Sequence, residues 1–158
     1  MDDIDLSLLD ALQSDDRTSY ADLGKAVGLS VSGVNARLKK LVAARYIREF
    51  AARLDPARVG LDLCAFIQVV LERSEHDASF IEAVLQNPAI LECHHVTGDF
   101  SYLLKVRVRN TAALEQLITE EVKRLPRVVQ TYTTIALSSP KETSRLDIRG
   151  SAKRMEES

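Results

Sequence analysis

Cysteine is scarce, with two in 158 residues, and that scarcity excludes a disulfide framework. Both Cys64 and Cys93 fall in apolar, strand-like runs, where reduced and packed thiols are expected. Aromatic residues make up only 5% against 46% hydrophobic, a balance that suits an aliphatic globular core. Nowhere do eighteen apolar residues run together, and the opening MDDID has no basic-then-apolar signal pattern. Cytoplasm, with no membrane partner, is therefore the expected location. Nor is there an excess of positive charge. The formal net charge of −2 excludes a uniformly basic coat for nucleic acid.

What is present is concentrated in residues 20–41, YADLGKAVGLSVSGVNARLKKL. Leu23, Ala26 and Val27 recur at helical spacing and predict an inward face. Gly28 follows as a helix stop, because glycine takes the left-handed conformation at no Cβ cost. Leu29 plugs the corner. Ser30 is the expected N-cap of a second helix reaching about Ala44. Its predicted buried stripe is Val31, Val34, Leu38 and Leu41. Ser32, Gly33, Asn35, Ala36, Lys39 and Lys40 then fall on the outer face or its flanks, with Arg37 at the edge of the stripe. Small and polar side chains there suit contact with base edges. The pattern is that of a helix-turn-helix.

Local charge agrees. Between Leu23 and Arg48 the ionisable residues are Lys25, Arg37, Lys39, Lys40, Arg45 and Arg48, with no acid among them. Seven aspartates precede the segment or open it: Asp2, Asp3, Asp5, Asp10, Asp15, Asp16 and Asp22. One face is thereby left able to approach phosphates. Upstream, Ile4, Leu8, Leu9 and Leu12 predict another helix, with Asp5 and Ser7 serving its start. Downstream, residues 46–54 (YIREFAARL) are expected to pair as a wing or linker strand. Pro56 and Gly60 interrupt both periodicities, which gives a first domain of residues 1–54 and a linker of 55–61.

From Asp62 the order becomes strand, helix, strand, strand, helix, strand, the signature of a split βαβ sandwich. The predicted elements are strand 63–72, helix 79–86, strands 90–97 and 100–108, a helix capped by Thr111 and running to Leu125, and strand 128–137. Gly98-Asp99 is the hairpin turn. This second domain spans 62–140, and the polar tail 141–158 is expected to be a loose or partner-dependent extension. The first strand carries apolar residues on both faces: Ala65, Ile67, Val69 and Leu71 on one, Cys64, Phe66 and Val70 on the other. Helices cover one face only, so a second copy of the chain is expected on the other. A two-fold dimer also suits paired recognition helices on double-stranded DNA.

In this order the chain resembles the Lrp/AsnC, or feast/famine, regulators over nearly its whole length to Pro140. The first domain carries the likeness in Asp5-x-x-Leu8-Leu9, Asp16-Arg17-Thr18-Ser19, Gly28-Leu29-Ser30, Arg37-Leu38 and Leu41. The second carries it in residues 96–104 (VTGDFSYLL), Leu125-Pro126-x-Val128 and Thr131-x-Thr133-x-Ile135. The resemblance implies an α+β protein, with a winged helix-turn-helix joined to a ferredoxin-like domain that binds effector. It further implies dimers that assemble into octamers and an amino-acid effector between dimers. Carried over residue by residue, the effector site is Thr97, Gly98, Asp99, Phe100, Ser101 and Tyr102, with Ser138 nearby. Many relatives have Asp where Ser101 stands, which leaves the effector's identity open. The DNA-reading set is Ser30, Ser32, Gly33, Asn35, Ala36, Arg37, Lys39 and Lys40, with Arg37, Lys39 and Lys40 on phosphates.

Cys93-His94-His95 invites a metal reading, but alternation along a strand sends the two histidines to opposite faces. No metal, cofactor or catalytic residue is assigned. Two other readings share the fold: an enzyme similar to the siroheme decarboxylases, using His94 or His95, and an architectural DNA-binding protein without effector. The acid-free recognition helix favours the regulator.

Overall fold

The computed structural model describes residues 1–72 and 78–149. The chain forms two compact units, residues 53–140 and residues 1–52 joined by the segment from 141. Among the described residues no helix is long and apolar enough to cross a membrane.

Residues 1–52 of the first unit form the helices α1 (Asp3–Ser14), α2 (Tyr20–Val27) and α3 (Val31–Ala43). Each opens on a side-chain cap that satisfies an otherwise unpaired N–H. Asp2 and Asp5 form a reciprocal capping box on α1, Ser19 accepts from the Asp22 N–H, and Ser30 accepts from the Gly33 N–H. Ser7 has no part in the α1 start; its hydroxyl donates to the Asp3 carbonyl. Gly28 closes α2 at φ 72. Leu8, Leu23, Val34, Leu38 and Leu41 form the core, with Ile4, Leu9, Ala11, Leu12, Val27, Leu29 and Ile47 packed around it.

Two predicted core positions are exposed, Ala26 and Val31. Ala26 is displaced because α2 packs on Gly24 as well as Leu23 and Val27. A Cβ on Gly24 would lie 2.4 Å from the Leu29 carbonyl oxygen, so the missing side chain lets the helix lie against the turn. Residues 46–54 form no strand within the single chain. The tail also departs from expectation. Arg145 and Arg149 reach Asp10 of α1 at 2.9 and 3.3 Å, and Gln13 exchanges two hydrogen bonds with the Leu146 backbone. The expected loose extension is thus held on α1 over its described part; residues 150–158 lie outside the described residues.

The second unit contains β1 (Leu63–Leu71), α4 (Ala78–Leu85), β2 (Ile90–His95), β3 (Tyr102–Val108), α5 (Thr111–Gln116) and β4 (Val128–Ile135). Beyond α5 the backbone continues as a π turn (Leu117–Glu121) and a 3₁₀ turn (Val122–Arg124). Asn110, one residue before the predicted Thr111, supplies the α5 cap. The antiparallel sheet runs β2-β3-β1-β4, the ferredoxin-like order. Ala65, Ile67, Val69, Tyr102, Leu104 and Val106 pack under Phe80, Val84, Leu114, Leu117 and Val122 of the helical layer. The register sends Phe66, Val70 and Leu103 to the other face, where they are half-buried. Cys64 is buried, whereas Cys93, expected to be packed, is exposed.

The Gly24 contact predicts that Gly24→Ala lowers the unfolding free energy by about 1–3 kcal/mol, the usual cost of overpacking. Gly33→Ala, whose Cβ meets the Ser30 hydroxyl at 3.4 Å, is expected to be neutral or to gain up to about 1 kcal/mol of helix propensity. Denaturant unfolding of the full chain distinguishes the two.

The carboxylates give a pH prediction. The Asp2 pKa is lowered from its ordinary 3.8, first by the Asp5 N–H and then by Arg37, and that of Asp10 first by Arg145. A depressed folded pKa stabilises above the unfolded value and is lost as pH falls through the folded one. The α1 cap and tail contact should therefore persist through neutral pH and release only in acid below 3.8. In an NMR titration, Arg145→Ala should return Asp10 toward its ordinary range and leave Asp2 unmoved.

Candidate nucleic-acid interface and effector hairpin

The outer face of α3 is built from small side chains and cations. Ser32, Ala36, Lys39 and Lys40 are exposed, and Gly33 and Asn35 are half-buried. Ser30 has a structural task, since its oxygen caps the helix at 3.2 Å from the Gly33 nitrogen and lies 3.0 Å from the Ser32 hydroxyl. The first four N–H groups of α3 also leave partial positive charge at this end.

Arg37 does not point outward with the lysines. Its Nη1 lies 2.8 Å from Asp2 Oδ2 and 2.7 Å from Asp5 Oδ1. The carboxylates raise its pKa, Asp5 foremost. Arg37 therefore ties the middle of α3 to the start of α1. Lys25 is similarly partnered by Asp22 at 3.4 Å. Among the described residues Lys39, Lys40, Arg45 and Arg48 have no carboxylate partner. Arg45 closes α3 in the left-handed region, φ 58, where glycine is the usual occupant. A helix C-terminus favours a cation, and the arginine keeps one there. That role is invisible to hydrophobic periodicity; the signal was a basic residue just past the last core leucine.

At the second unit the strands flanking Gly98 end earlier than predicted. Residues 96–101 form a six-residue connection between β2 and β3, closed by Val96 N–H to Ser101 C=O at 3.2 Å. Gly98 takes φ 108. Thr97, Gly98 and Asp99 are exposed at its tip. Phe100 packs edge-on against Tyr132 at 5.5 Å. Ser101 is engaged by the sheet: its N–H donates to Val69 C=O at 2.9 Å, and its Oγ accepts from the Leu71 N–H at 3.2 Å. Tyr102 turns into the core, with ring contacts to Phe80 at 4.8 Å and His95 at 5.1 Å. Thr97 to Phe100 are thus brought together at one tip, with Ser101 and Tyr102 behind it.

Ser138 is not brought there within one chain. Ala136 N–H donates to Cys64 C=O, whereas Ser101 bonds Val69 and Leu71. From Cys64 to Leu71 is about 23 Å of strand, so Ser138 lies beyond the opposite end of the sheet. His94 and His95 do take opposite faces, His94 beside Glu92 at 3.3 Å and His95 against Tyr102. Cys93 is exposed at its surface, and partial desolvation pushes its thiol pKa up. Among the described residues no three His, Cys, Asp or Glu gather as metal ligands.

A capped helix-turn-helix with an acid-free outer face, on the same chain as an α+β sheet domain, defines a DNA-binding regulator with a ligand-binding domain. Residues 1–48 match the winged helix-turn-helix DNA-binding family and residues 64–146 the Lrp/AsnC ligand binding domain. The chain belongs to the Lrp/AsnC family of transcriptional regulators. It is 39% identical to a proline dehydrogenase transcriptional activator of Rhizobium radiobacter, over 90% of this chain and 93% of that protein. With the leucine-responsive regulatory protein of Escherichia coli K12 it shares 37%, over 94% and 92%. A Neisseria meningitidis transcriptional regulator solved in complex with L-methionine superposes with a TM-score of 0.87 at 30% identity, covering 95% of this chain and 98% of that one. These relatives regulate transcription, which sets aside the enzymatic reading.

The geometry separates the cations. Lys40→Ala should weaken binding to all DNA sequences alike and flatten the salt dependence of log K by about one unit. Arg37→Ala should leave that slope unchanged and lower the thermal midpoint. A reduced slope in Arg37→Ala, measured by fluorescence anisotropy at several salt concentrations, would put it on a phosphate instead.

Proposed function

We propose that the protein is a cytoplasmic dimer that inserts α3 into successive major grooves of a pseudo-palindromic site. The observation that carries this reading is the outer face of α3, small and cationic without an acid. Ser32, Asn35 and Ala36 are assigned to base edges and Lys39 and Lys40 to phosphates. Gly33 permits close approach, and Ser30 and Arg37 hold the helix in place. The half-buried Phe66, Val70 and Leu103 supply an apolar face for the second copy, and assembly of dimers into octamers follows the family.

An amino-acid effector is proposed at the 96–101 connection. An exposed turn offers backbone N–H and C=O groups to a ligand's carboxylate and ammonium. Thr97, Gly98 and Asp99 are the groups exposed at the tip, Phe100 adds apolar contact, and Ser101 and Tyr102 support it from behind. Ser138 joins this site only if another subunit brings it there. The methionine complex of the Neisseria regulator supports an amino acid as the ligand class. The effector acts by binding one assembly more tightly than another, and so changes the spacing of the DNA-binding units.

A mobility shift on the chain's own upstream region, repeated with each amino acid, tests the reading. Selective binding altered by one amino acid is the expected result. Selective binding indifferent to all of them would replace it with the architectural reading, and absence of DNA binding at any salt would overturn both.

A further inference from the structure

Val31 was expected in the core and is instead 53% exposed. The cause is its position as the first residue of α3. Helical side chains lean toward the N-terminus, so at the first turn the isopropyl group projects past the end of the helix. The core is filled without it by Val34, Leu38 and Leu41. In sequence it falls between Ser30 and Ser32, whose hydroxyls are 3.0 Å apart, and it lies one helical turn from Asn35. An apolar group is therefore presented among polar ones at the leading tip of the helix assigned to the groove.

In the major groove, only thymine offers a methyl group, and small apolar side chains recognise it by contact. The N-terminal residues of a recognition helix are the ones that meet base edges. We propose that Val31 reads the 5-methyl group of one thymine in each half-site. Asn35 lies about 6 Å further along the helix, and base pairs are stacked about 3.4 Å apart. The thymine therefore falls within one or two base pairs of the base that Asn35 reads. The inference rests on α3 being the groove-binding helix.

The test uses the full chain and a site selected from a random duplex library. Each thymine of that site is replaced in turn by deoxyuridine, which removes the methyl and keeps the base pair. For the unaltered protein, one replacement per half-site should weaken binding about fourfold, the equivalent of one buried methyl group. Val31→Ala should bind the thymine site about that much more weakly and be indifferent to uracil at that position, with other positions unchanged. If Val31→Ala keeps every uracil penalty, or no thymine is sensitive in the unaltered protein, the inference falls while DNA reading stands. If the library yields no selected site, the groove assignment falls with it. Circular dichroism and the thermal midpoint check that the variant is folded, and loss of fold is answered by Val31→Thr, which keeps the shape and one methyl and should retain uracil discrimination.

Discussion

The guanidinium of Arg37 between Asp2 and Asp5 is the interaction on which the DNA-binding unit turns. It joins the middle of α3 to the capping box of α1, so the two helices that flank α2 are held by charge as well as by Leu8, Val34 and Leu38. The same contact answers an electrostatic problem. A chain with a net charge of −2 must keep its acidic N-terminus from repelling phosphates, and pairing two of those carboxylates internally reduces the field they cast toward α3. A partly buried ion pair of this kind adds only modestly to stability. What this one contributes chiefly is placement, because one guanidinium nitrogen, Nη1, is held by both carboxylates.

Ser101 plays the corresponding part in the second unit. The β1–β4 register shifts between Val70 and Leu71, and beside that irregularity the Ser101 Oγ takes the Leu71 N–H while its own N–H reaches Val69. The serine thereby prolongs the β3–β1 pairing beyond Tyr102 and anchors the base of the connection. With its oxygen accepting from the Leu71 N–H, Ser101 supports the connection from behind, and the exposed polar groups of the proposed effector site are those of Thr97, Gly98 and Asp99. An aspartate at this position would place a charge beside the same backbone N–H, so the substitution alters the support of the tip as well as its chemistry.

Much of the fold was legible because it depends on local periodicity and punctuation. Gly28, Ser30 and the Val34, Leu38, Leu41 stripe are set by neighbours three or four residues away, and the strands of the second unit by alternation. The misplacements arose where distant residues decide. Ala26 lost its place in the core to Gly24 because the Leu29 carbonyl approaches closely, and Val31 lost its own because a helix end has no neighbour to bury it. Arg37 read as a phosphate contact because its partners lie 32 and 35 residues away. Ser138 was carried to the hairpin by likeness alone, and within one chain the Ala136–Cys64 hydrogen bond leaves it at the other end of the sheet. Residues 46–54 have the composition of a strand, but among the described residues of one chain no partner strand meets them.

These differences sort the proposed site residues by what their polar groups already do. The Ser30 oxygen and the Arg37 guanidinium are committed within the fold, so their replacement disturbs the platform before it disturbs recognition. Lys39 and Lys40 are not so committed, and the Ser32 hydroxyl shares only the Ser30 oxygen. Asn35 makes no side-chain hydrogen bond among the described residues, and Ala36 has no polar group to commit. A partner's energy of binding has to come from groups the folded chain leaves unsatisfied, since an internally satisfied donor or acceptor gains little by exchange. On that physical ground the proposed sequence reading falls to the face carrying Ser32, Asn35 and Ala36 and to the apolar tip at Val31. The proposed affinity falls to the lysines, and Arg37 ties the helix that carries them to the start of α1.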